Sequence, residues 1–169
     1  MENENTNYVV YLIELAQSGR KNAFFDLCGI NLRNVFTTAY RLIPDIERAQ
    51  KITLQTFLIA WENISSFDTK NSYAIWLKGI TVKFAIRDLL KYGDVSNKIT
   101  DKTFFAYDYE KIENLIITLP NEDRIIFVLH DLEGFTYEEI KNFLEDQSTD
   151  EIKSKLLAIR EQLMTKMKL

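Results

Sequence analysis

A chain of 169 residues that is 46% hydrophobic can bury one or two compact cores, which excludes wholesale disorder. Its lone cysteine, Cys28, excludes an intramolecular disulfide framework and a thiolate cluster for zinc, as expected in a reducing compartment. The net charge of -4 weighs against a strong general affinity for nucleic acid, which phosphate neutralisation drives. With only five Gly and two Pro, long periodic segments run with few breakers, and the expected fold class is all-α. The opening MENENTN is polar and acidic, and no apolar run approaches the roughly 20 residues a bilayer needs. A cytoplasmic protein without membrane insertion is therefore expected.

The pattern divides into a front block, a connector and a back block. In the front block, residues 6–18 place Tyr8, Val9, Leu12 and Leu15 on one side of a helix that ends at Gly19. A longer helix over 21–43 offers Phe24, Leu27, Val35, Phe36, Ala39 and Leu42 as core and ends at Pro44. A third over 45–63 turns Ile52, Phe57, Leu58 and Trp61 inward and leaves Arg48, Lys51 and Gln55 as an outer stripe. The fourth runs over 72–92, and Gly93, Asp94, Ser96 and Asn97 break it. The connector concentrates Phe104, Phe105, Tyr107 and Tyr109 in a short window, so it is expected to pack onto one or both blocks.

The back block reads as a helix-turn-helix. After Pro120, a helix with Ile125, Ile126, Val128 and Leu129 stops at Gly134, and a short helix opens at Thr136 with Glu139 in the reciprocal capping position. Ser148 and Glu151 form a second capping box, after which Ile152, Leu156, Ile159 and Leu163 recur at helical spacing. Two capped helices around a tight turn are a common way to set a helix end into a DNA major groove. Charge runs against that reading. Residues 1–92 carry eleven Lys and Arg against nine acids, 93–118 three against five, and 119–169 seven against eleven. The DNA-like pattern thus sits in the acidic half.

The ordered motifs are specific as a set. LAQSGRKNAFFDL, the TFLIAW run over 56–61 and WLKGI over 76–80 in the front block, then LPNEDRIIFVLHDLEGFTYEEI over 119–140 and IKSKL over 152–156, resemble the extracytoplasmic-function sigma factors. The front block is similar to region two of that family and the back block to region four. The resemblance implies two small helical domains, 1–92 and 109–169, joined by a linker over 93–108. It implies a subunit that binds RNA polymerase core and directs promoter recognition, region two at the minus-ten element and region four at the minus-thirty-five element. Promoter DNA and the core are then the partners, with room for an anti-sigma factor, and no cofactor, metal or catalysis is implied.

Candidate DNA contacts in the front block are Lys83, Arg87 and Lys91, spaced every four residues, with Lys78 nearby. The alternative for such a stripe is an ordinary solvated face. Trp76 and Tyr73 could stack on an unpaired base, although core is the better expectation for Trp76. In the back block the candidates are Thr149, Lys153, Ser154 and Arg160, with Asp150 and Glu151 repelling phosphate beside them. Polymerase contacts are expected from Arg48, Lys51 and Gln55. Several positions depart from the family pattern: Lys51 stands where Asp is typical, Leu54 where Gln is, Gln55 where Glu is, and Val82 and Lys83 where basic and amide residues are. The turn over 145–147 appears one residue longer than usual. These departures motivate a second reading, a sigma-like module that works through protein contacts without reading promoters.

Enzyme chemistry has little support. His130 is the only histidine and lies on an apolar helix, Glu138 and Glu139 are adjacent and point apart, and no glycine-rich phosphate cradle is present.

Overall fold

The computed structural model describes residues 2–93, 110–144 and 146–167, and these are helical without a strand among them. The aromatic window of the connector lies outside the described residues. The front block holds α1 (Glu2–Gln17), α2 (Lys21–Leu42), α3 (Ile46–Asn63) and α4 (Tyr73–Tyr92), with a single 3₁₀ turn, Ile64–Ser66, after α3. The back block holds α5 (Glu110–Ile117), α6 (Asn121–Phe127), α7 (Tyr137–Lys141) and α8 (Thr149–Met167). Among the described residues no helix is long and apolar enough to cross a membrane.

Local chemistry sets the helix ends. Gly19 and Gly134 adopt φ values of 86° and 77°, a left-handed conformation that side chains resist, so each closes the helix before it. Asp45 and Ser72 accept bonds from the backbone N–H groups of Arg48 and Ile75, starting α3 and α4. Both expected capping boxes form. The Thr136 hydroxyl accepts from the Glu139 N–H while Glu139 accepts from the Thr136 N–H, and Ser148 and Glu151 repeat the exchange. One feature escaped the periodic reading: α6 continues into a π turn over Val128–Leu132, where the Glu133 N–H donates to the Val128 carbonyl five residues back.

Two cores result, and their border does not follow the border between blocks. One core gathers Leu12, Ile13 and Ala16 of α1 with Phe24 and Leu27 of α2, Phe57 and Ala60 of α3, and Leu77 of α4. The other joins Ala39, Leu42 and Ile43, Ile52, and Val82 and Ala85 to the whole apolar face of the back block. Helix α2 therefore has one end in each core.

Three expectations about facing need correction. Tyr8 is exposed, because α1 buries Leu12, Ile13 and Ala16 and the two tyrosines of that helix, Tyr8 and Tyr11, turn to water. Leu58 is 54% exposed. Thr53 and Thr56 take inward positions of α3 instead, Thr56 facing Thr81 of α4, and the Thr53 and Thr81 hydroxyls donate to carbonyls one turn back in their own helices. Arg48 is not on an outer stripe: it turns to α4, donating to Asp88 at 2.6 Å and to the Gly93 carbonyl at 3.1 Å. The guanidinium thereby meets the negative end of that helix.

The capping exchange at Thr136 gives a direct test. Thr136→Ala should lower stability by about 1 kcal/mol, read by urea unfolding. Circular dichroism should show the remaining helices intact.

Candidate nucleic-acid interface

The front block supplies the most accessible cationic surface of the expected set. Lys83 and Arg87 are exposed on α4 one turn apart, and neither is ion-paired among the described residues. They border a cleft of about 430 Å³ between α4 and the end of α3, walled by Asn63, Phe67, Trp76 and Phe84. Trp76 is half-buried, its ring 4.9 Å from that of Phe67 and 5.6 Å from that of Tyr73. Part of it is core and part is cleft wall, so the sequence alternatives were not exclusive. Tyr73 is buried, and burial pushes its phenol well above the usual tyrosine range. Lys91 extends the row, with its ammonium 4.9 Å from the Tyr92 ring.

Lys78 does not join this row. At 3.6 residues per turn it lies about 140° round the helix from Lys83. Its ammonium is 3.0 Å from the Glu133 carboxylate and donates to the Glu133 carbonyl at 2.9 Å. Glu133 in turn accepts from the Thr38 hydroxyl at 3.0 Å and lies 3.8 Å from Arg41, whose guanidinium also grips Glu113 with two bonds. These four charges join α2 and α4 to the back block, at one end of a wider groove of about 1000 Å³ along α2 and α3.

The back-block candidates surround α8, and several are engaged within the block. Arg160 donates to Asp131 through two nitrogens, one at 2.8 Å. Lys153 pairs with Asp150 at 3.1 Å and stands over the Tyr137 ring, while the Ser154 hydroxyl donates to the Asp150 carbonyl. Thr149 opens α8, half-buried. His130 is a hydrogen-bonded, stacked ring, 2.8 Å from Asp131 and 4.5 Å from the Tyr137 ring. On α3, Lys51 is exposed and Gln55 half-buried, and the exposed apolar pair Leu54 and Leu58 shares that helix.

Sequence reasoning missed Asn63 and Phe67 in the cleft. Their only signal was the polar loop that follows the TFLIAW run. It also missed Thr38, Arg41, Glu113 and Glu133, for which the charge difference between blocks was the available signal.

Comparison with known proteins finds sigma factors in sequence and in fold. A family model for Sigma-70, region 4 matches residues 109–140, ending before the unusual turn over 145–147. The ECF RNA polymerase sigma factor SigW of Bacillus subtilis is 28% identical over 79 residues, 47% of this chain and 42% of that protein. The match therefore spans less than half the length of that relative. The RNA polymerase sigma-H factor of Pseudomonas aeruginosa is 25% identical over 157 residues, covering 79% of this chain and 81% of that one. Two solved structures share the fold at a TM-score of 0.61. CnrH, solved in complex with the cytosolic domain of CnrY, is 20% identical, with 95% of this chain and 97% of that chain covered. The sigma factor RpoE from Bartonella quintana, solved with the anti-sigma factor NepR, is 19% identical, with 86% and 97% covered. Together these matches support a sigma factor of the extracytoplasmic-function type.

The Asp131 contacts predict a pH dependence. The bonds from Arg160 hold its carboxyl below the usual aspartate range. A folded-state value below the unfolded one stabilises the fold above the unfolded value, near 3.8, and that contribution fades as pH falls through the depressed value. The melting-temperature gap between wild type and Asp131→Asn should thus be full at pH 6 and shrink below about pH 4. A gap that widens on acidification would contradict the assignment.

Proposed function

We propose that this protein binds RNA polymerase core and directs it to promoters, with the front block engaging opened DNA at the minus-ten element and the back block engaging the minus-thirty-five element. The observation that carries the reading is the cleft bordered by Lys83 and Arg87. Exposed cations one turn apart suit successive phosphates, and the half-buried Trp76, backed by the buried Phe67, offers a ring face for an unstacked base. Lys91 extends the phosphate track, while Lys78 enters it only if Glu133 lets go. In the back block, Thr149, Lys153 and Ser154 on the first turns of α8 are the proposed base and phosphate contacts, and Arg160 positions that helix through Asp131. The core-binding surface is the outer side of α3, with Lys51 and Gln55 as contacts and Arg48 fixing the helix against α4. Leu54 and Leu58 make that surface partly apolar. Work of this kind takes place in the cytoplasm and involves no catalysis by this chain. An anti-sigma partner is proposed by analogy with the RpoE and NepR complex.

Co-purification with the polymerase core of the same organism tests the first half, and failure to associate would refute it. For the second half, Lys83→Ala with Arg87→Ala should weaken binding to single-stranded promoter DNA and flatten the plot of log affinity against log salt by about 0.7 per lost phosphate contact. An unchanged slope would show that the pair does not touch DNA.

A further inference from the structure

Lys153 and Arg160 stand seven residues apart on α8, so they share one face of that helix with about 10.5 Å of axial rise between them. Both are engaged within the back block, and both engagements lead to the π turn over Val128–Leu132. Asp131 of that turn takes the Arg160 guanidinium, with one bond at 2.8 Å. His130, the residue before it, stacks on the Tyr137 ring at 4.5 Å, and the Lys153 ammonium stands 5.6 Å from the centre of the same ring. The imidazole Nδ1 is also 2.8 Å from the Asp131 carboxylate. One histidine thus touches the holders of both cations.

We propose that His130 is a positioning residue for the phosphate contacts of the back block: its protonation loosens Arg160 and Lys153 together and readies that face of α8 for DNA. The consequence rests on the reading that this block engages promoter DNA; the release itself rests on the geometry alone. Imidazole is the side chain that changes charge between about pH 5 and pH 8. Asp131 stays ionised there, since the Arg160 bonds above all hold its carboxyl below the usual aspartate range. While the imidazole is neutral, Arg160 is the cation that balances Asp131, whose side chain is only 18% exposed. Surrender of the guanidinium to a phosphate then strands a largely covered carboxylate, which is costly. Once the imidazole is charged, Asp131 keeps a cation and Arg160 exchanges at little cost. The same proton acts on Lys153, because a Tyr137 ring that faces an imidazolium has less attraction left for a second cation. Asp150, 3.1 Å from Lys153 at the exposed start of α8, is the other hold on that ammonium. The groups that face His130 are therefore Asp131 on its own turn, Tyr137 on α7 and, through these two, Arg160 and Lys153 on α8. Proton and DNA bind cooperatively, each favouring the other.

His130 is the only histidine in the chain, so its ring signals are read by NMR without ambiguity. In the full chain, lowering the pH through the imidazole titration should move the Arg160 Nε–H resonance towards the position of free arginine, with the same midpoint as the ring. His130→Gln should hold that resonance still, and Asp131→Asn should leave it at the free position at every pH. An Arg160 resonance that ignores the ring in the wild type would overturn the proposal. Binding of a short mixed-sequence DNA duplex at low salt then tests what the released cations do. Wild-type affinity should rise about threefold from about pH 8 to about pH 5.5, the scale of one exposed ion pair, and DNA should raise the midpoint of the ring titration. An equal rise in His130→Gln would also overturn the proposal. Release of Arg160 without DNA binding by either protein at any pH would support the hold of His130 on α8 and refute promoter engagement by this block.

Discussion

Arg124 lies wholly inside the protein at the seam between the blocks. Its guanidinium donates to the Leu42 carbonyl of α2 at 3.2 Å, to the Leu119 carbonyl at 2.8 Å and to the Asn121 side chain. A charge in such a place is tolerated only while its donors are met, and one of the acceptors is the end of a front-block helix. Docking of the back block on the C-terminal half of α2 is therefore part of how Arg124 is satisfied. The rest of the architecture follows from that placement. Because α2 runs unbroken from Lys21 to Leu42, it connects the Leu12, Phe24 and Phe57 core at one end to the Ile126, Leu129 and Ile152 core at the other.

What could be read in the sequence was what is decided locally. Both capping boxes, the Gly19 and Gly134 terminators and the four front-block helices depend on residues within a few positions of one another, and all were legible. The buried stripe of Ile152, Leu156, Ile159 and Leu163 was legible because helical spacing fixes a face. Distant choices were not. Whether Leu58 or Thr56 faces inward depends on how closely α3 approaches α4, and self-satisfied threonines allow the polar answer. Arg48 and Lys78 were read as surface cations, but each has a carboxylate across the fold, Asp88 and Glu133, that no spacing rule links to it. The π turn was hidden as well, since one extra residue in a turn leaves the apolar pattern nearly intact.

The acidic character of the helix-turn-helix block looked like an argument against DNA. Its charges now divide into groups with separate tasks. Glu139 and Glu151 cap α7 and α8, Asp131 holds Arg160, and Glu113 and Glu133 face the front block. Capping and internal pairing neutralise these carboxylates locally, so they repel a phosphate backbone less than the formal count suggests. The same pairing occupies Lys153 and Arg160 on α8. Lys83 and Arg87, in contrast, stand unpaired among the described residues beside an aromatic-walled cleft. The proposed electrostatic attraction for DNA is thus concentrated in the front block, and in the same proposal α8 contributes once its own ion pairs exchange for phosphate.

The proposed role of this chain is to give polymerase a choice of start sites. It is tested most directly by transcribing sheared genomic DNA of the same organism with core alone and with core plus this protein, and mapping the 5′ ends. The account predicts a discrete set of starts that appears only with the protein and shares two sequence elements upstream. Starts indistinguishable from those of core alone would contradict it.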